Sequence, residues 1–471
     1  MKKILTIACA FLIVAAQSHA QKETVLPKDL PAYGPERPLA APSVKIEKLD
    51  NGLTVWLVSE PGFPKVAFSI ALHGGLAADP SDRPGLSQML GNTIDQGTKT
   101  LNAKQIAQQL QAAGGDLGVT PGKDSTILSI TVLSAKRDDA LSVLSDLVRN
   151  ASFPDEEVAL AKRNALNELR QQESQPSFLA GRAMAKVLFG DHPYHVTSAT
   201  EQSINASTPG DLRKIYAERF RPDQALLVAV GDFDADGMLN AVKSRFAEWK
   251  APSTPPVTVL SATSSTPQHA IYIVPRPGSV QTTLELGSFG PLRTADDYEA
   301  ARVANAIFGG TFGSRLTRNI REDKGYTYSP FATLQTYQAA GLQITRADVR
   351  NDVTAPSLNE MFYELNRMVT TSPTEEELRT AKRFLVGIEA IQLQSRASVA
   401  GELARLWVSG LTPDAIGTYG KKVAATTAQD VDAVAKKYFP AAKATVVAVG
   451  EEKIVRDALA PFGLPVLSVP Q

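Results

Sequence analysis

The chain repeats itself at long range. Asp211-Leu212 through Phe220 to Val228-Ala229-Val230-Gly231 reappears as Asp430-Val431 through Phe439 to Val447-Ala448-Val449-Gly450, at a constant offset of 219 residues. Upstream, Pro154, Glu156-Glu157 and Ala161-Lys162-Arg163 reappear as Pro373, Glu375-Glu376 and Ala381-Lys382-Arg383, with one residue slipped. The period is far too long for a solenoid, whose units run to roughly 20–50 residues. Two unrelated helix–strand units of similar composition explain the apolar pattern, but not the shared Ala-Lys-Arg and Ala-Val-Gly. The fold class expected is therefore α+β: two homologous α/β halves of roughly 220 residues, each a mainly antiparallel sheet packed with helices. Residues 251–268, with four prolines and many Ser and Thr, read as an extended linker between a first half at 44–250 and a second at 269–471.

Within the first half, Val44 to Ser59 alternates around Asn51-Gly52, a hairpin signal. Val66–Leu72, Ser125–Ser134 and Ala225–Val230 read as strands. Pro84–Thr93, Ala103–Ala113, Asp138–Val148, Glu156–Gln172, Phe178–Phe189 and Thr208–Phe220 read as helices.

The second half contains the stretch with the densest chemistry, from Gly309 to Pro330. It reads as a glycine turn, a short helix closed by Gly325, and a strand opening at Tyr326-Thr327-Tyr328. Leu316 and Ile320 share one helix face. Arg321 then falls in the last turn and Tyr328 on the adjoining strand, a permanent cation and a phenol a few ångströms apart. Gly309-Gly310-Thr311-Phe312-Gly313 has no Lys-Ser/Thr at P-loop spacing, so it is read as a place of close approach rather than a phosphate loop.

Lys2 and Lys3, the apolar run Ile4–Ala16 and Ser18-His19-Ala20 form a secretory signal over residues 1–20, cleaved near Ala20. The address is the periplasm, with secretion as the alternative. Residues 21–43, proline-rich and aperiodic, read as an extended N-terminal arm. The single cysteine, Cys9, lies inside the signal, so the mature chain is expected to hold no disulfide and no Cys–zinc site. Loss of Lys2 and Lys3 leaves 47 basic against 49 acidic residues, a balance that points to neither nucleic acid nor an anionic membrane. No later stretch is long and apolar enough for a membrane span.

Three ordered features together resemble the pitrilysin/insulinase family of zinc metallopeptidases in its bacterial two-half form. They are Leu49-Asp50-Asn51-Gly52-Leu53-Thr54-Val55 with Pro64-Lys65-Val66; Gly85-Leu86-Ser87-Gln88-Met89-Leu90-Gly91-Asn92 with Gly97-Thr98; and Ser314-Arg315-Leu316, Ile320-Arg321-Glu322, Gly325 and Tyr328. The resemblance implies an inverted zinc motif, H-x-x-E-H, on the helix of the second feature. Laid on this chain, the histidines fall on Gln88 and Asn92 and the glutamate on Gly91, so the motif is degenerate and neither zinc nor peptidase activity is expected of this chain alone. Glu168 stands near the family's third ligand and is read as a surface helix charge. His192-Pro193-Tyr194-His195, His73 and His269 are read as structural residues.

Arg321 and Tyr328 match the family's Arg and Tyr, including their spacing of seven. The resemblance implies that Arg321 holds a substrate backbone carbonyl and that Tyr328 stabilises the oxygen that gains charge at the scissile bond. Such a pair needs zinc opposite it. The expectation is a heterodimer with a homologous subunit carrying an intact H-x-x-E-H, acting on unfolded peptides. No cofactor is expected in this chain, and zinc is expected in the partner. The alternative is an inert structural or peptide-binding member, as in the core proteins of respiratory complex III. A lone metallopeptidase ranks third.

Overall fold

The computed structural model describes residues 40–257 and 267–470. The signal, residues 21–39 of the arm and the centre of the linker lie outside the described residues. The linker's described flanks, 251–257 and 267–268, have neither helix nor strand, and Arg221 pins the first flank by donating to Thr254 O at 2.7 Å.

Twelve strands among the described residues form two six-stranded mixed sheets. The first holds β1 (Lys45–Lys48), β2 (Thr54–Ser59), β3 (Lys65–His73), β4 (Leu117–Pro121), β5 (Ser125–Leu133) and β6 (Ala225–Gly231), in the order β1-β2-β6-β3-β5-β4. The second holds β7 (Ile271–Pro275), β8 (Gln281–Gly290), β9 (Phe331–Thr336), β10 (Gly341–Arg350), β11 (Thr445–Gly450) and β12 (Val466–Ser468), in the order β12-β7-β11-β8-β10-β9. The orders superimpose from β2 and β7 onward. β6 and β11, the strands of the repeat, each lie parallel to one neighbour (β2, β7) and antiparallel to the other (β3, β8). Only the outermost strands break the symmetry: β1 runs antiparallel to β2, whereas β12 runs parallel to β7.

The repeated side chains have matching jobs. Thr208 and Asp211 close a capping box at the start of the helix Pro209–Arg219, and Thr427 and Asp430 do the same for Ala428–Tyr438. Lys162 donates to Asn205 O at 2.8 Å, and Lys382 to Ala424 O at 2.8 Å, each tying its long helix to the end of the helix before that box. Ala161 and Ala381 are buried beside them.

β6 and β11 are continuous apolar runs because both of their faces are covered. Leu227 and Ala229 of β6 enter the core of their own half, while Leu226, Val228 and Val230 pack on Ala400, Leu403 and Ala404 of the helix Arg396–Val408, which belongs to the other half. The exchange is reciprocal. Val447 and Val449 of β11 pack on Ala180, Ala183 and Met184 of the helix Pro176–Phe189, from the first half. Gly287 on β8 makes this approach close: a Cβ there would lie 2.4 Å from Met184 Sδ.

β4 was not legible as a strand. It is an edge strand containing Gly118 and Pro121, with half-buried and exposed positions alternating, so it lacks the apolar run that marks its neighbours. The helix Glu201–Ala206 was also missed, being only six residues long. No helix among the described residues is long and apolar enough to cross a membrane.

Candidate functional site

The helix carrying the degenerate motif is shorter than expected, Leu86–Gly91. It starts from Gly85, whose φ of 84° is left-handed and whose Cβ would collide with Ala199 at 2.3 Å. Asp79 secures the first turn by accepting from Ser87 N at 3.1 Å and Ser87 Oγ at 2.5 Å, and buried Arg219 donates to Asp79 at 2.9 Å. Burial pushes the Asp79 carboxyl up, and Arg219 and Ser87 pull it back only in part. The helix is thus rigidly placed.

Its chemical face is not that of a zinc site. Gln88 Oε1 accepts from Ala199 N at 3.2 Å, and Asn92 caps the helix, exposed. A Cβ on Gly91 would lie 2.6 Å from Pro121 Cγ, so β4 occupies the room a glutamate side chain needs. Glu168 is exposed and accepts from Gln172 Nε2 at 3.0 Å. Gln88, Asn92, Pro121 and Glu168 line a cavity of about 190 Å³. Two amides and one hydrogen-bonded carboxylate do not make a zinc donor set, which calls for imidazole, thiolate and carboxylate in a tetrahedral array.

The histidines are placed by structure. His192 Nδ1 accepts from Tyr194 N at 3.2 Å. Tyr194 is buried; its hydroxyl donates to Asp124 at 2.6 Å and accepts from Ala339 N at 3.0 Å, while Gln338 N donates to Asp124 at 2.8 Å. This network ties the first half to the turn between β9 and β10. His73 stacks on Trp407 with ring centroids 4.3 Å apart, and burial lowers its pKa. His269 sits 2.6 Å from Ala444 O.

The Gly309–Pro330 stretch is wound differently from the expectation. The helix Tyr298–Asn305 runs on as a π-turn over Ala306–Gly310, and a single α-turn at Arg315–Thr317 continues as a second π-turn over Arg318–Asp323. Gly309 permits contact with β9, since a Cβ there would lie 2.7 Å from Ala332 Cβ. Gly325, at φ 62°, closes the second turn: Tyr326 N donates to Ile320 O at 2.8 Å and Gly325 N to Arg321 O at 3.1 Å, a left-handed glycine closure one residue wider than the usual α-helical one. The strand opens later than the tyrosines. Pro330 cannot donate to a ladder, and β9 begins at Phe331. Tyr328 therefore lies on the loop between helix and strand and is 79% exposed, not on the strand. Thr327 anchors that loop by donating to Asp348 O at 2.7 Å.

The turn is bolted down on three sides. Leu316 and Ile320 are fully buried. Buried Arg315 grips Glu377 through Nε at 2.8 Å and Nη2 at 2.9 Å, and donates to Thr371 O at 3.2 Å. Burial alone would raise the Glu377 carboxyl, but the Arg315 and Thr374 hydrogen bonds outweigh it and hold the pKa at about 2. Asn319 donates to Glu360 at 2.9 Å and Glu364 at 2.8 Å on the helix Thr354–Thr370. Arg315 of the Ser-Arg-Leu motif is therefore structural.

Arg321 projects from this frame. Its guanidinium carbon lies 4.7 Å from the Tyr328 ring centroid and 4.3 Å from that of Phe312, and among the described residues it pairs with no carboxylate. The structure thus brings Arg321 and Tyr328 together as expected, with the phenol ring laid against the cation. It adds Phe312, 64% exposed, whose role sequence reasoning missed. An aromatic set between Thr311 and Gly313 just after a helix end was the available signal. On the other half, Gln88 and Asn92 line the cavity with Glu168, and Gly91 lies against Pro121.

Comparison with known proteins places both regions. Residues 54–197 match the model for insulinase (peptidase family M16), and residues 207–385 match that for the peptidase M16 inactive domain. Among curated proteins, the chain is 24% identical over 408 residues to an uncharacterized zinc protease of Mycobacterium bovis, covering 86% of this chain and 93% of that one. It is 27% identical over 345 residues to an uncharacterized zinc protease of Rickettsia felis, covering 72% and 81%. Among solved structures, the peptidase M16 inactive domain from Pseudomonas fluorescens aligns with a TM-score of 0.81 at 25% identity, over 86% of this chain and 97% of that one. The periplasmic protease PqqL from Escherichia coli shares the fold, with a TM-score of 0.73 at 15% identity over 90% of this chain and 49% of that one. With one family model on the half that holds Gln88, Gly91 and Asn92, and another across Arg321 and Tyr328, the chain belongs to the insulinase (M16) family of pitrilysin-type peptidases.

Proposed function

We propose that this chain is the non-zinc subunit of a periplasmic heterodimeric zinc metallopeptidase, completing in trans the active site of a homologous partner. One observation carries the reading. Half-buried Arg321 and exposed Tyr328 stand adjacent on a heavily braced turn, with no carboxylate among the described residues neutralising the cation, in a chain whose motif helix has no zinc donor set. A fold that needed only stability has no use for that expenditure of scaffolding.

The roles follow from chemistry. The partner's zinc supplies the activated water. Arg321, always charged and rich in N–H donors, holds a backbone carbonyl of the peptide beside the scissile bond. The Tyr328 hydroxyl donates to the carbonyl oxygen as it gains negative charge. Removing one such donor costs on the order of 10²–10³ in rate. The substrate class is unfolded peptide.

The test is cleavage of a fluorogenic peptide by this chain, by the zinc-bearing homologue and by their mixture. Activity restricted to the mixture, with Arg321→Ala and Tyr328→Phe each losing about 10² in kcat, supports the proposal. A homologue equally active alone, or variants that cleave like wild type, would leave the chain as a scaffold or peptide binder.

A further inference from the structure

We infer that Phe312 is a third member of this site, a positioning residue that fixes the plane of Arg321; the inference rests on the reading of Arg321 just given. Phe312 and Tyr328 form no ring–ring contact with each other among the described residues, yet each lies within 5 Å of the same guanidinium carbon, at 4.3 and 4.7 Å. Both rings therefore lie against the same cation, and the three groups form a short aromatic–guanidinium stack.

Core packing does not explain Phe312. It is 64% exposed, while its sequence neighbours are tied down: Thr311 Oγ1 donates to Ala306 O at 3.1 Å, and Thr317 Oγ1 donates to Thr311 O at 3.3 Å. The ring contact that Phe312 makes among the described residues is with Arg321, and the chemistry of that contact indicates a use. A carboxylate beside Arg321 would fix the cation by consuming its N–H donors. Aromatic rings hold it through their π clouds and use none of its N–H donors, which stay available to a peptide carbonyl. Arginine has much rotamer freedom to lose on gripping a ligand, and the stack removes part of that freedom before the peptide arrives.

The test uses the full chain with Phe312→Ala, Phe312→Tyr and Arg321→Ala, singly and as the Phe312→Ala/Arg321→Ala pair. Alone, the protein is read by the NMR signal of the Arg321 Nε–Hε group. In the wild type this proton is shifted upfield by ring currents; Phe312→Ala reduces the shift, and Phe312→Tyr keeps it. In the mixture with the zinc-bearing homologue, Phe312→Ala lowers kcat/KM on the order of ten-fold, Phe312→Tyr restores it, and Phe312→Ala adds nothing to Arg321→Ala. An unshifted Arg321 signal in the wild type overturns the stack whatever the fate of the heterodimer reading. A Phe312→Ala loss that multiplies with that of Arg321→Ala overturns the positioning role, because Phe312 then acts independently of the cation. Failure of the mixture to cleave, with the NMR result as expected, counts against the heterodimer and leaves the stack standing.

Discussion

Arg315 and Arg321 lie six residues apart in one motif and do opposite work. Arg315 is buried, bidentate on Glu377 and bonded to backbone carbonyls, so its donors are consumed in holding two helices together. Arg321 pairs with no carboxylate among the described residues. Replacing Arg315 with Ala strands a partly buried carboxylate and is expected to cost on the order of 3 kcal/mol, seen as a lower urea midpoint. Glu377 also sets an acid limit. Its folded pKa, about 2, lies below the ordinary 4.5, so its contribution is complete above pH 4.5 and is lost as pH falls toward 2. The wild type should lose stability across that window more steeply than Glu377→Gln; equal slopes would show that the pair contributes nothing to acid stability. At this scale the sequence revealed Arg321 and Tyr328 by spacing. It did not separate the two arginines, because burial is not written in the residue type.

The motif helix shows the limit of substitution at the scale of one element. Its frame, from Gly85 to the buried Leu86, Met89 and Leu90, persists without the donors. Gly91 is now committed to the approach of Pro121. Gly91→Ala is expected to destabilise the fold by about 1–3 kcal/mol through overpacking, measured by denaturant unfolding. The triple variant Gln88→His, Gly91→Glu, Asn92→His should purify without stoichiometric zinc, because a side chain at 91 must first displace β4. Metal content near one zinc per chain would refute this account of the helix. Most elements of the first half were legible from their apolar period, but β4, the six-residue helix Glu201–Ala206 and the helix Ala235–Phe246 were missed, as were the π-turns flanking Gly309–Gly313. An edge strand with Gly and Pro has little period, and a π-turn is a tertiary adjustment that lets Gly309 meet Ala332 and carries Phe312 and Arg321 to the surface.

For the whole molecule, the two halves are repeats in sequence but not independent in packing. Each sheet has a face covered by a helix of the other half: Pro176–Phe189 on the second sheet, Arg396–Val408 on the first. Cleavage at a protease site inserted within 251–268 should leave the fragments co-eluting, and either half expressed alone should expose its sheet and fail to fold cooperatively. Fragments that separate and retain native circular dichroism would refute the interlock. Leu403→Ala, at this junction, should cost about 2–5 kcal/mol. The sequence by itself determined the duplication, the α+β class and the Arg–Tyr spacing, since each is a matter of which residue type recurs at which interval. Only the tertiary structure decided that the halves exchange helices, that Pro121 packs against Gly91, and that Phe312 joins Arg321. Those facts depend on contacts between residues far apart in the chain or set by a local winding, and neither apolar period nor motif spacing encodes which surfaces meet.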